Sequence, residues 1–148
     1  MESSIQQCRH FLASSGDIFS GLEDRHCALE SPPGATTAGW LIGHLAVSGD
    51  FARGLCGALP ICPDTWLALF YPGTQPSKDP AAYPPMRELC DTFLAVYTQL
   101  CDAAGSMDRA MYDRENPFTP RRSDFPRSGE FVAFLMSGHL GYHLGQLV

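Results

Sequence analysis

Apolar residues recur at intervals of three and four along most of this chain, and proline and glycine interrupt that rhythm in only a few places. Such spacing lines one face of an α-helix. The first stretch runs from about Ser3 to Ala28, with Ile5, Cys8, Leu12, Ser15, Ile18, Phe19, Leu22 and Leu29 on the 3–4 spacing. It is expected to stop before Ser31-Pro32-Pro33-Gly34, which a helix cannot cross. A second stretch begins near Thr36-Thr37, either of which is a suitable cap, and carries Leu41, His44, Leu45, Ser48, Phe51 and Leu55. It ends around Gly57 to Pro60. The segment Pro63 to Pro85 is rich in proline and glycine and predicts a long connection with one short helix around Asp64 to Leu69.

The third helix is predicted to start at Pro84-Pro85, since proline suits a first turn. Met86, Leu89, Cys90, Phe93, Val96, Tyr97, Leu100 and Cys101 form its inner face, and Gly105 is a plausible stop. A second long link follows, through Asn116-Pro117, Thr119-Pro120 and Phe125-Pro126. The fourth helix opens near Ser128, with Glu130 in its first turn, where a carboxylate suits the positive helix end. Its stripe is Phe131, Phe134, Leu135, Gly138, His139, Tyr142, His143 and Gln146. No segment shows strand alternation flanked by hairpin turns. The prediction is an all-α four-helix bundle with long connections between helices two and three and between helices three and four.

At 148 residues, 45% of them hydrophobic, the chain is sized for a single domain over residues 1–148 with a real core. Ten basic against sixteen acidic residues give a net charge of −6. Arg121-Arg122 is only a local basic pair, so binding nucleic acid by neutralising phosphates is disfavoured. The polar start Met1-Glu2-Ser3-Ser4 shows no signal segment, and no apolar run approaches the ~18 residues a membrane helix needs. The cytoplasm is the expected compartment. The six cysteines form no C-x-x-C pair and are expected to be reduced, buried apolar residues, with Cys90 and Cys101 on one helical face. The chain stops soon after His143, which leaves open a short further tail beyond Val148.

Three histidines sit where the pattern calls for leucine. His139 and His143 are four apart, so on a helix they lie one above the other and suit a shared metal ion. His44 occupies an apolar stripe far upstream. Burying several unpaired imidazoles is costly, and a shared ion satisfies one nitrogen of each, leaving the other N–H for a neighbouring acceptor. If the two stripes face one core, the rings converge on a three-histidine site with an open position. Gly43, Gly138, Gly141 and Gly145 lie beside these histidines, as room for a ligand or as ordinary tight packing.

The segments Trp40-Leu41-Ile42-Gly43-His44-Leu45-Ala46 and Gly138-His139-Leu140-Gly141-Tyr142-His143-Leu144-Gly145-Gln146 resemble the two signature segments of the DinB-like superfamily, of the YfiT type. Trp66-Leu67-Ala68-Leu69-Phe70-Tyr71-Pro72-Gly73-Thr74 is similar to a segment between that family's second and third helices. The His-x-x-x-His-x-Gly-Gln ending is the most specific part. The resemblance spans nearly the whole chain. It implies an up-down-down-up four-helix bundle, often a homodimer. It also implies one divalent metal, usually zinc or nickel, held by His44, His139 and His143. Characterised relatives include thiol S-transferases using low-molecular-weight thiols such as bacillithiol and a mycothiol-dependent isomerase, and related domains occur in ergothioneine-forming enzymes. The implied partners are a small-molecule thiol and an electrophilic substrate.

Three functions stand at this point: a metal-dependent thiol S-transferase, a metal-dependent small-molecule hydrolase, and a non-catalytic binding or stress-response module. Leu140 follows His139 where a metalloprotease has its glutamate base, which weakens peptidase and hydrolase chemistry. No catalytic side chain is assigned. Asp50 is expected to be solvated or ion-paired, His10 exposed, and His26 near a helix end. Tyr142 is expected to pack in the core, and Gln146 to bond to a ligand or face a subunit interface. Arg53, Arg121 and Arg122 are expected at the surface, or else holding an acidic thiol.

Overall fold

The computed structural model describes residues 1–30 and 33–148, and every regular element among them is helical. Two isolated β-bridges, Glu30–Thr37 and Glu115–Arg127, pin the ends of loops. The expected stop of the first helix falls partly on Ser31 and Pro32, which lie outside the described residues.

Helix α1 (Glu2–Phe19) ends well short of the expected Ala28. After Ser20-Gly21 the chain tightens into a 3₁₀ turn, Asp24–His26, in which the Glu23 N–H donates to His26 Nδ1 at 2.9 Å. His26 is thus spent on a local turn. Asp24 accepts the Met86 N–H at 2.8 Å and so caps the next long helix but one. That distant use of Asp24 outweighs the local apolar rhythm.

Helix α2 (Ala38–Leu55) is the central element, buried on almost every side. Thr37 stands at its cap position, but its hydroxyl pairs with Tyr83 at 2.8 Å rather than capping the helix. Leu41, Ile42, Leu45 and Ala46 are essentially inaccessible. Such burial needs small residues at the contacts. A Cβ on Gly49 would lie 2.6 Å from Val96 and 2.9 Å from the Tyr97 ring, too close for real carbon contacts.

Helix α3 (Thr65–Phe70) lies in the first long connection and plugs Trp66 and Phe70 into the core. Helix α4 (Met86–Gly105) runs as predicted and packs chiefly on α2 and α1, burying Leu89, Phe93, Val96, Tyr97 and Leu100. Cys90 and Cys101 are both on its buried face, and all six cysteines are free thiols. A short helix α5 (Arg109–Asp113) escapes the apolar pattern; Asp108 caps it by accepting the Met111 N–H at 2.7 Å.

The last helical stretch begins at Ser128 as expected, with Glu130 accepting the Arg127 N–H at 3.0 Å. It is not one regular helix. α6 (Ser128–Phe134) passes through a π-helical turn, Leu135–His139, into α7 (Leu140–Gly145). A π turn holds an extra residue and rotates the helix beyond it. Phe131 and Leu135 are buried as predicted, beside Val132 and Met136, but beyond the turn the buried residues are Leu140 and Leu144, one step round from the predicted stripe. Tyr142, expected in the core, is 66% exposed, and Gly138 is exposed as well. His139 and His143 fall at the edge of this inner face, half-buried.

The connections are tied down by buried polar groups. Asp50 and Arg53 form an ion pair whose side chains are each only 6% exposed. Asp50 also accepts N–H bonds from Ile61 and Cys62, while Arg53 reaches the Leu59 carbonyl and Gln99. Arg53 is thus a brace of the first connection, not a surface or substrate-binding cation. Asn116, fully buried, holds the second connection through the Phe125 carbonyl and the Phe118 N–H. No described helix is long and apolar enough to cross a membrane.

Candidate metal centre

The three predicted histidines meet. One nitrogen from each of His44, His139 and His143 lies within 4.8 Å of the others. His44 comes from the middle of α2, His139 from the end of the π turn, and His143 from the next turn of α7. Ser137, in the π turn, donates its hydroxyl to the Ala133 carbonyl one turn back at 2.6 Å.

Each ring is oriented differently. His44 is 5% exposed and places Nδ1 2.9 Å from the Phe70 carbonyl. A carbonyl only accepts, so this bond fixes the proton on Nδ1 and leaves Nε2 a bare lone pair. Trp40 stacks flat on the same ring, with centroids 4.5 Å apart and planes within 8°. The Trp40 indole N–H is itself fixed on Thr74 Oγ1 at 2.8 Å. His143 has Nδ1 2.6 Å from Gln146 Oε1, which likewise leaves its Nε2 free. Gln146 is thus the acceptor that orients this ring.

His139 is the ring without such a partner: its buried Nδ1 has none among the described residues. Its Nε2 faces His44 Nε2 at 3.2 Å. Two lone pairs at that distance repel unless a proton or a cation lies between them. Nitrogens bound at about 2.0–2.1 Å to one tetrahedral ion lie roughly 3.3 Å apart, so the pair has the spacing of adjacent ligands. The residues fit a divalent ion.

Burial also keeps the rings neutral, as ligands must be. It pushes His44 down to about 4, with the Phe70 bond opposing and His143 adding to the shift. It pushes His139 down to about 3, helped by its two neighbours and by Arg121. His143 is lowered too, again by burial, against the pull of Gln146.

A family model for the DinB superfamily matches residues 10–147. This chain belongs to the DinB superfamily. No curated protein and no solved structure matches it. The span matched to the DinB superfamily includes all three histidines and both segments that carry them.

Beside the cluster of this DinB-superfamily chain lies a cavity of about 230 Å³, open on one side. His44 and His139 form part of its wall, with the aromatic rings of Phe51, Phe118, Phe131 and Phe134 beside aliphatic residues and Tyr71. Phe51 and Ser48, assigned by pattern to the apolar stripe of α2, in fact face this space. Arg121 borders it, paired with Asp124 at 3.2 Å and lying 5.2 Å over the Phe134 ring. Arg122 is paired with Glu115 at 2.8 Å. His10 is exposed, as expected.

Trp40, the Phe70 carbonyl and Phe118 were not singled out by sequence. Trp40 was within reach, because it stands four residues before His44 on the same helix face. The carbonyl and the loop phenylalanine carry no pattern of their own.

Proposed function

We propose that this protein is a divalent-metal-dependent thiol S-transferase, with His44, His139 and His143 as ligands to one zinc or nickel ion. The observation that carries the reading is the convergence of three imidazoles, two of them with Nδ1 anchored so that Nε2 points free. Three protein ligands leave a coordination position open, the arrangement of catalytic rather than structural sites. We further propose the family's up-down-down-up order for the four long helical stretches, and pairing of two chains as a homodimer.

A bound ion would supply positive charge that favours the thiolate form of a coordinated thiol at neutral pH. The chain does the rest. Phe70 and Gln146 hold the tautomers of His44 and His143, and the flat Trp40 ring fixes the plane of His44. The apolar walls exclude water, which limits hydrolysis of the electrophile. In the transfer, a sulfur–carbon bond forms as the bond to the leaving group breaks. The leaving group takes the electron pair, and the thiol proton passes to solvent.

Hydrolysis is the weaker reading because it needs a general base. Asp50, the carboxylate nearest His44 along α2, has its oxygens committed to Arg53 and to the Ile61 and Cys62 N–H groups. The test is consumption of free thiol by metal-loaded protein offered a panel of low-molecular-weight thiols and electrophiles. Metal-dependent consumption, lost in His139→Ala, supports the assignment. Turnover of the electrophile without any thiol would replace it with the hydrolase.

A further inference from the structure

The cavity beside the histidines has a shape and chemistry of its own. The rings of Phe118 and Phe131 are 5.5 Å apart with planes within 6°, and Phe134 lies within 16° of Phe131. Phe51 stands edge-on to both Phe118 and Phe131 at 6.2 Å. The wall is thus a set of near-parallel faces with one perpendicular ring, the two geometries in which aromatic groups attract one another. Its volume is about 230 Å³, and an apolar cavity of roughly 150 Å³ already accommodates benzene.

Charge narrows the occupant further. Among the described residues, Arg121 is the charged side chain of the lining, and it is ion-paired with Asp124 at 3.2 Å. The guanidinium also covers the faces of Phe134 and Phe125, at 5.2 and 5.6 Å. With the thiol in the ion's open position, a carboxylate entering the cavity would lose its hydration and meet only Arg121, already paired with Asp124.

We infer that this cavity seats the electrophilic substrate, and that this substrate is an uncharged molecule carrying one or two flat rings. Its role as electrophile rests on the thiol-transfer reading; its chemical class rests on the cavity alone. A ring lying against Phe118 and Phe131 would hold an attached carbon beside the wall formed by His44 and His139.

The test is equilibrium titration of the full chain with 2-naphthol and cyclohexanol, with and without zinc, and with 2-naphthoate without zinc, where its carboxylate has no ion to ligate. The expected result is binding of 2-naphthol about tenfold tighter than either comparison. Phe118→Ala should weaken it about fivefold, the worth of one aromatic contact. Ser48→Leu, which fills the cavity from α2, should abolish it. Phe118→Leu keeps apolar volume without the ring and should also lose the preference over cyclohexanol while the chain stays folded by circular dichroism. Equal binding of the three probes, or binding unchanged by Phe118→Leu and Ser48→Leu, overturns the inference. So does an affinity that falls as protein concentration rises, since a second copy would then cover the cavity. The titration needs neither thiol nor turnover. Failure to bind naphthol therefore sinks this inference alone, and binding without thiol consumption in the transfer assay sinks the transfer reading alone.

Discussion

Replacing Gly43 with alanine tests how His44 is held. A Cβ at this position would stand 2.5 Å from two carbons of the Phe70 ring and 2.6 Å from a third. Ordinary carbon contacts begin near 3.5 Å, so the ring must retreat by about 1 Å. It has little room, being fully buried with Trp66 at 5.5 Å and Tyr83 at 6.3 Å between ring centres. The strain passes to the backbone of α3, whose last carbonyl is the acceptor for His44 Nδ1. Overpacking of this kind costs about 1–3 kcal/mol, and a weakened hydrogen bond about 1 kcal/mol. Alanine recovers about 1 kcal/mol of helix propensity. The net expectation for Gly43→Ala is a loss of about 1–3 kcal/mol in urea unfolding of metal-free protein. Metal affinity, measured by competition with a chromophoric chelator, should fall about tenfold or more once the acceptor is displaced. A variant as stable as the parent with parental affinity would refute the reasoning, leaving Gly43 an ordinary helical glycine and His44 held by something other than Phe70.

Asp50→Ala should cost about 3–5 kcal/mol in the same unfolding assay, because it strands Arg53 as a buried, unpaired cation; a loss under 1 kcal/mol would mean that the pair is hydrated in solution. Gln146→Ala should lower metal affinity about tenfold with little change in folding, since only the acceptor for His143 Nδ1 is removed. Metal-free protein should also show a specific acid sensitivity. His44 and His139 sit at about 4 and about 3 when folded, against about 6.5 when unfolded. In that interval the unfolded chain binds more protons, so their contribution is complete above pH 6.5 and is lost as pH falls, towards about 4 for His44 and about 3 for His139. Compared with His139→Gln across that window, the parent should fall more steeply; parallel curves would contradict a buried neutral His139.

Much of this molecule can be traced to local pattern. Helices α2 and α4 begin and end within a few residues of where capping groups and the 3–4 spacing place them, and the three histidines stand out as polar residues on apolar faces. The exceptions share a cause. Asp24 is drawn from the expected first helix to cap α4, and Thr37 is drawn from its own helix to Tyr83, both through contacts between residues far apart in sequence. The π turn at Leu135–His139 rotates the last helix by a residue, so Tyr142 turns outward and Leu140 and Leu144 turn in. A periodicity count assumes constant pitch and cannot register that step. The cavity was equally hidden, because Phe118 and Arg121 reach it from a loop positioned by the buried Asn116.

The central claim is that three histidines share one ion. Elemental mass spectrometry on untagged protein, beside His44→Ala and His143→Ala, tests it most directly. The account predicts about one equivalent of a divalent ion per chain, lost in both variants while their helical content is kept. Parent protein that carries no metal and takes up none on titration with zinc or nickel would contradict it, and would leave His44, His139 and His143 as buried, hydrogen-bonded core residues.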